Sequence, residues 1–185
     1  VHHLWFDESK YEQLGTHIKC NPAIKSAADR QALLQALNDG RIDIIATDHA
    51  PHTLEEKDNS YFKAPAGLPL VQHVLLCLFD MADAGQLDYE RIVDKTAHAV
   101  ADIYGVEERG YVREGYFADL VLKDTEKPYT VASSNLLAKC HWSPFEGHTF
   151  QSTVDTTIVN GTVVYADGEL TGEIPGQRLK CSRAR

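Results

Sequence analysis

The residues best equipped for chemistry stand together at Asp48-His49-Ala50-Pro51-His52, where a carboxylate and two imidazoles follow directly on an apolar, β-branched run, Ile42–Thr47. Such a run has the texture of a strand buried on both faces. Titratable side chains at the C-terminal end of a strand like this are where α/β barrels and open α/β sheets hold their chemistry. Three accounts fit these residues alone. In the first, Asp48 ligates a divalent metal and takes a proton from metal-bound water. In the second, a histidine carries the proton and no metal is involved. In the third, Asp48 caps the next turn, and His49 and His52 are ordinary loop residues. A Ser-His-Asp hydrolase is excluded, because the order is wrong and there is no glycine elbow.

Other candidate ligands are weaker on spacing. Adjacent side chains on a strand point to opposite faces, so His2 and His3 cannot easily share one metal. The pair is expected to be a strand end running into a loop, with one ring packed and the other solvated. His73 sits in an apolar helical pattern and is expected to be structural. Cys20, Cys77, Cys140 and Cys181 are scattered and form no CxxC pair, which favours reduced thiols over disulfides or a zinc knot.

The 185 residues carry a net charge of −9, which argues against nucleic acid or an anionic membrane as partner. An anionic substrate would be repelled at long range, so an anion site must work through local donors. No run approaches the roughly 18 apolar residues of a membrane span. The chain opens on Val1-His2-His3 rather than a basic and then apolar leader, and a cytoplasmic location is expected. An opening without methionine, at what looks like a strand end, makes a piece of a longer chain the expectation.

The positioning elements follow from local signals. Ser26-Ala27-Ala28-Asp29 is a capping box with Asp in place of Glu, opening a helix with apolar positions at Ala28, Leu33, Leu34 and Leu37. Asn38-Asp39-Gly40 stops it, and Ile42–Thr47 follows as a strand. Thr53-Leu54-Glu55-Glu56 is a second capping box. The tight loop Ala64–Pro69 precedes an apolar helix over Leu70–Ala84, and its Gly67 allows a ligand close to the backbone. Asp88 and Thr96 are expected N-caps for Tyr89–Lys95 and Ala97–Tyr104, with Gly105 as stop. Thereafter short β-branched segments dominate, at Tyr111-Val112, Asp119–Leu122, Thr156–Val159 and Thr162–Tyr165, and Asn160-Gly161 is a strong hairpin signal. The expected fold class is α/β, with a boundary near residue 106: residues 1–105 form a helix–strand unit, residues 106–185 a small β domain with a frayed basic tail from Lys180.

Thr47-Asp48-His49-Ala50-Pro51-His52, Glu55-Glu56-Lys57 and Ala64-Pro65-Ala66-Gly67 together closely resemble the dihydroorotases of the amidohydrolase superfamily. Lys19–Pro22, Gly110–Val121, Trp142–Gly147 and Val159–Gly161 resemble further segments of that pattern, so the likeness runs from Val1 to about Gly168. The resemblance implies that residues 1–105 are the C-terminal portion of a TIM-type (β/α)8 barrel and the rest a composite β domain. It implies a zinc-dependent cyclic-amide hydrolase that interconverts N-carbamoyl-L-aspartate and L-dihydroorotate in pyrimidine biosynthesis. Asp48 would be zinc ligand and proton shuttle, His52 would hold the substrate carboxylate, Asn21 would bind substrate, and Ala66 and Gly67 would close over its ring. His49 carries no implied role, and neither His2 nor His3 is implied as a zinc ligand.

The family pattern also needs an HxH, a bridging lysine carbamate or aspartate, and two more histidines, none of which this chain contains. The 185 residues alone are therefore expected to be inactive and to bind zinc weakly or not at all. They are also expected to self-associate or to pair with a missing N-terminal half. Two alternatives stand beside the dihydroorotase reading: an allantoinase- or hydantoinase-like enzyme, and a non-catalytic dihydroorotase-like scaffold subunit.

Overall fold

The structure, a computed structural model, describes residues 1–182. It opens with short turns, α1 (His2–Trp5) and α2 (Tyr11–Leu14), each neighboured by 3-10 turns. Helices α3 (Ala27–Asn38), α4 (Leu54–Lys57), α5 (Val74–Asp83), α6 (Tyr89–Val93) and α7 (Ala99–Tyr104) follow. The strands are β1 (Leu120–Asp124), β2 (Tyr129–Thr130), β3 (Thr149–Phe150), β4 (Thr153–Val159), β5 (Thr162–Ala166) and β6 (Glu169–Leu170).

Both capping boxes form. Ser26 Oγ accepts the Asp29 amide at 3.2 Å while Asp29 accepts the Ser26 amide at 3.1 Å. Thr53 and Glu56 make the same reciprocal pair at 3.2 and 2.9 Å. These bonds occupy amides that the first turn leaves without helical partners, so the two helices start where their caps stand. Helix α3 buries Leu34 and Leu37, while Ala28 and Leu33 stay exposed.

Residues 42–47 form no ladder. The only strand-like pairing there is an isolated parallel bridge between His49 and Leu68. A strand's amides and carbonyls need a neighbouring strand, and among the described residues none flanks this segment. Its polar groups find other partners instead. Ile42 N–H donates to Ala36, Ile45 N–H donates to Lys95, and the Ala46 carbonyl accepts from the Val1 amino group.

The break expected at Thr96 is also absent. The chain passes from α6 through a π turn, Asp94–His98, into α7. The Thr96 hydroxyl donates back to the Ile92 carbonyl at 2.7 Å, so it serves the running helix rather than starting a new one. Gly105, with φ +60°, ends it in the left-handed conformation.

In the β region, β1, β4, β5 and β6 form one antiparallel sheet in that order, and β2 pairs with β3. Asn160 and Gly161, at φ +49° and +80°, make the tight β4–β5 turn, both central residues lying on the side that a type I′ hairpin requires. Tyr111-Val112 is not a strand. Tyr111 is held by side-chain contacts, its ring stacked 4.1 Å from His98 and capped by the Arg113 guanidinium at 3.9 Å. The chain around Lys180 is not frayed either, since Cys181 bridges Val106 and Ser182 N–H donates to Gly105. Residues 183–185 of the expected tail lie outside the described residues.

One apolar core spans both parts of the chain. Leu4 and Phe6 from the opening turns, and Leu76, Leu78 and Phe79 of α5, cluster with Val131, Leu136, Phe145 and Phe150. No helix among the described residues is long and apolar enough to cross a membrane.

Candidate active site

Asp48 stands where the extended segment turns, at φ +50°. This left-handed region is tolerated by Asp and Asn better than by other residues with a Cβ. The Thr47 hydroxyl shapes the turn by accepting the His49 amide at 3.1 Å. Asp48 is exposed, and none of the hydrogen bonds or ion pairs among the described residues uses its carboxylate. Both oxygens are therefore open to a ligand.

His49 turns the other way. Its Nδ1 accepts the amides of Leu70 and Val71 at 3.0 and 3.2 Å, which leaves the proton of the neutral ring on Nε2. With Ala50 N–H donating to the Leu68 carbonyl at 3.0 Å, His49 pins the 48–52 turn to the start of the α5 region. It is a brace.

His52 has a partly exposed side chain whose Nδ1 lies 3.4 Å from Glu56 Oε2, one helical turn on. Its carbonyl accepts the indole N–H of Trp142 at 2.7 Å, tying the turn to the second part of the chain. The Thr53 amide, and then the His52 ring, hold the Glu56 carboxyl below the usual range.

Gly67 is buried at φ +143°. A Cβ there would meet the Ala50 carbonyl at 2.4 Å, the Ala50 methyl at 2.9 Å and His52 Cδ2 at 3.1 Å. The absent side chain is what lets the 64–68 loop lie against the 50–52 turn. Gly67 N–H donates to the Lys19 carbonyl at 2.9 Å, joining this loop to the segment that carries Asn21. Asn21 itself is exposed and precedes Pro22 through a cis peptide bond. The structure thus gathers His52, Ala66, Gly67 and the Asn21 segment along one edge. Asp48 belongs to the same turn, and its charge is felt at Cys20 and His3.

Two lysines hold this edge from behind, and nothing in the residue spacing announces them. Lys57 is completely buried with no carboxylate partner; Nζ donates to the carbonyls of Gly67 at 2.9 Å, Pro65 at 3.0 Å and Lys19 at 3.4 Å. Burial, and then the charge of Lys19, push its pKa down to about 8. Lys19 Nζ donates to the carbonyls of Tyr61 and Ala64, both at 2.6 Å. A lysine four residues past a cap reads as the solvated end of a short helix; only the fold turns Lys57 inward.

The opening histidines differ from expectation. His2 and His3 lie on the helical turn α1 rather than a strand, so their rings do not point to opposite faces; the centroids are 4.2 Å apart. With Cys20 they form the one group of three or more His, Cys, Asp or Glu side chains, among the described residues, close enough to share a metal. Burial pushes His2 down to about 3, lowers His3, and raises the Cys20 thiol.

The amidohydrolase family matches residues 1–164. A dihydroorotase from Halobacterium salinarum is 40% identical over 179 residues, which cover 97% of this chain and 42% of that protein. One from Clostridium acetobutylicum is 37% identical over 166 residues, covering 89% and 39%. Among solved structures, an L-hydantoinase from Arthrobacter aurescens superposes with a TM-score of 0.86 at 29% identity, over 92% of this chain and 39% of its own. A D-hydantoinase at 23% identity and TM-score 0.84 shares the fold. The chain spans about two fifths of the length of the relatives it matches, and its α/β fold is the matching portion of the barrel enzymes with which it superposes. The chain belongs to the amidohydrolase family.

Proposed function

We propose that this chain is part of a dihydroorotase, a hydrolase that opens and closes the cyclic amide between L-dihydroorotate and N-carbamoyl-L-aspartate in pyrimidine biosynthesis. One observation carries the reading: an unpartnered carboxylate at Asp48 and an imidazole at His52 share one turn, closed by the Gly67 loop, in a chain 40% identical to a named dihydroorotase. In this reading residues 1–105 belong to the barrel and residues 106–185 form the smaller β domain. The protein is cytoplasmic, and this part associates with the remainder of its barrel or with a second copy.

Asp48 handles the proton. As water adds to the ring carbonyl, the carboxylate takes a proton from the attacking oxygen; it returns that proton to the ring nitrogen as the C–N bond breaks. Ring closure runs the same transfers in reverse. His52 donates a hydrogen bond to the substrate carboxylate, with Asn21 as a second polar contact. Both backbone groups of Gly67 are committed to Lys19 and Lys57, so Gly67 supplies close approach while the polar contact of the loop falls to Ala66. Local donors of this kind admit an anion despite the chain's net charge of −9.

Zinc bound at Asp48 would polarise the carbonyl and acidify the attacking water. The residues present do not complete such a site: a catalytic zinc takes three protein ligands, and no second and third donors gather around Asp48 among the described residues. The 185 residues alone are therefore expected to be inactive, and no step above passes through the metal.

The test is complementation of a strain lacking dihydroorotase by the complete coding sequence that contains these residues, with hydrolysis of dihydroorotate and hydantoin compared in extracts. Growth without uracil is expected, and Asp48→Asn should lower kcat by about 10²–10⁴-fold. His52→Ala should raise KM for dihydroorotate with a smaller change in kcat. Activity on hydantoin alone would favour a hydantoinase, the second reading supported by the L-hydantoinase superposition. Hydantoin carries no carboxylate for His52 to hold.

A further inference from the structure

We propose that His2, His3 and Cys20 form a binding site for a borderline-soft divalent cation such as Zn²⁺, through two imidazole nitrogens and one thiolate. The site does not use Asp48. One ligating atom from each of the three side chains lies within 4.8 Å of the others. In a tetrahedral zinc site, metal–ligand lengths of about 2.0–2.3 Å place the ligand atoms roughly 3.3–3.7 Å apart. Side-chain rotation alone can close the difference.

The state of His2 is the second observation. Its side chain is 2% exposed, and neither ring nitrogen has a hydrogen-bond partner. An imidazole buried with both nitrogens unused leaves a donor and an acceptor unsatisfied, and such groups call for an explanation. A cation bound by one nitrogen accounts for that nitrogen. Cys20, likewise 2% exposed, has its sulfur against the Pro22 carbonyl at 3.2 Å and near the Ile24 backbone, contacts a bound cation would replace or share. His3 is partly exposed and gives the ion a route to solvent.

The donor set fixes the class of ion. Two imidazoles and a thiolate suit Zn²⁺, Co²⁺ or Cd²⁺ and are poor ligands for Mg²⁺ or Ca²⁺, which take oxygen. On binding, the Cys20 thiol loses its proton to solvent and the S–metal bond forms; both imidazoles bind as neutral bases. The fourth position is left for water or a ligand.

The experiment is titration of the metal-free 185-residue chain with Co²⁺, followed by absorbance. A saturable 1:1 signal is expected, with a near-ultraviolet thiolate-to-cobalt band and intense visible bands of tetrahedral cobalt, both bleached by equimolar Zn²⁺. Cys20→Ser should remove the thiolate band, while Asp48→Asn, Cys140→Ser and Cys181→Ser retain it. Because Cys20 is buried and its variant could fail to fold, His3→Gln, at a partly exposed position, gives an independent arm with an expected tenfold or greater loss of Co²⁺ affinity. No thiolate band in the parent chain, or a band indifferent to His3→Gln, overturns the proposal. The Asp48→Asn arm separates this site from the dihydroorotase reading: visible cobalt bands without a thiolate band, lost in Asp48→Asn and kept in Cys20→Ser, would place the metal at Asp48 instead and overturn the proposal.

Discussion

The Lys57 ammonium lies 2.9 Å from the Gly67 carbonyl and 3.0 Å from that of Pro65, so the loop lining the candidate site is closed from inside by the lysine at its own base. Lys57→Met keeps the buried stem and removes the donors. Each carbonyl left without a partner is unfavourable by about 1–3 kcal/mol. The expected result is a clear fall in melting temperature, with faster deuterium exchange across residues 58–67 than elsewhere. Exchange that rises evenly over the whole chain, or not at all, would contradict this role.

The same lysine sets a pH signature. Its folded pKa of about 8 lies below the 10.5 of an unperturbed lysine, so between those values the unfolded chain holds more protons than the folded one. Stability contributed at this position therefore rises with pH through that window. Measured against Lys57→Met, the parent protein should gain relative stability between pH 7.5 and roughly 9.5. A constant difference across the series would show that Lys57 does not titrate there.

Gly67→Ala tests the contact between the two halves of the site edge. The new methyl would sit 2.4 Å from the Ala50 carbonyl, on a backbone at φ +143° that side chains rarely adopt. One wall must move away. A loss of about 2 kcal/mol or more is expected, with altered tryptophan fluorescence, because Trp142 is bonded to the His52 carbonyl in the adjoining turn. A variant with parental stability and fluorescence would show that the loop does not pack as described.

His73 governs behaviour in acid. It is buried among Phe145, Phe150 and Tyr129, and desolvation alone lowers its pKa to about 4. The unfolded chain takes up a proton near pH 6.5 that the folded chain refuses until about 4, so stability is lost as pH falls through that interval. His73→Phe removes this contribution, worth up to about 3 kcal/mol. The variant's melting temperature should fall less than the parent's between pH 7 and 4.5. An equal fall would assign the acid sensitivity to other groups, His2 among them.

Much of this was legible in residue order where the signal is local. Ser26 with Asp29, Thr53 with Glu56, and Asn160-Gly161 each specify their structure within four residues, and all three form as expected. Asp48 and His52 stood out because a carboxylate and imidazoles ending an apolar run are chemically conspicuous. What stayed hidden depends on distant partners. Ile42–Thr47 has a strand's composition, but its ladder needs neighbours that composition does not supply. Lys57 looks solvated until the 64–67 loop folds over it. His2 and His3 diverge on a strand and converge on a helical turn, so one change of local geometry reverses the inference about metal binding.

Asp48 keeps its left-handed backbone where a side chain is disfavoured. Glycine adopts φ +50° freely, whereas a residue with a Cβ is disfavoured there by roughly 1 kcal/mol. The carboxylate, meanwhile, makes no hydrogen bond or ion pair among the described residues. Architecture alone would therefore favour glycine at this corner, and a chain selected only for robustness would lose the acid. If Asp48 serves the reaction proposed for it, endurance and reactivity pull in opposite directions at this turn, and Asp48→Gly should gain stability while losing activity.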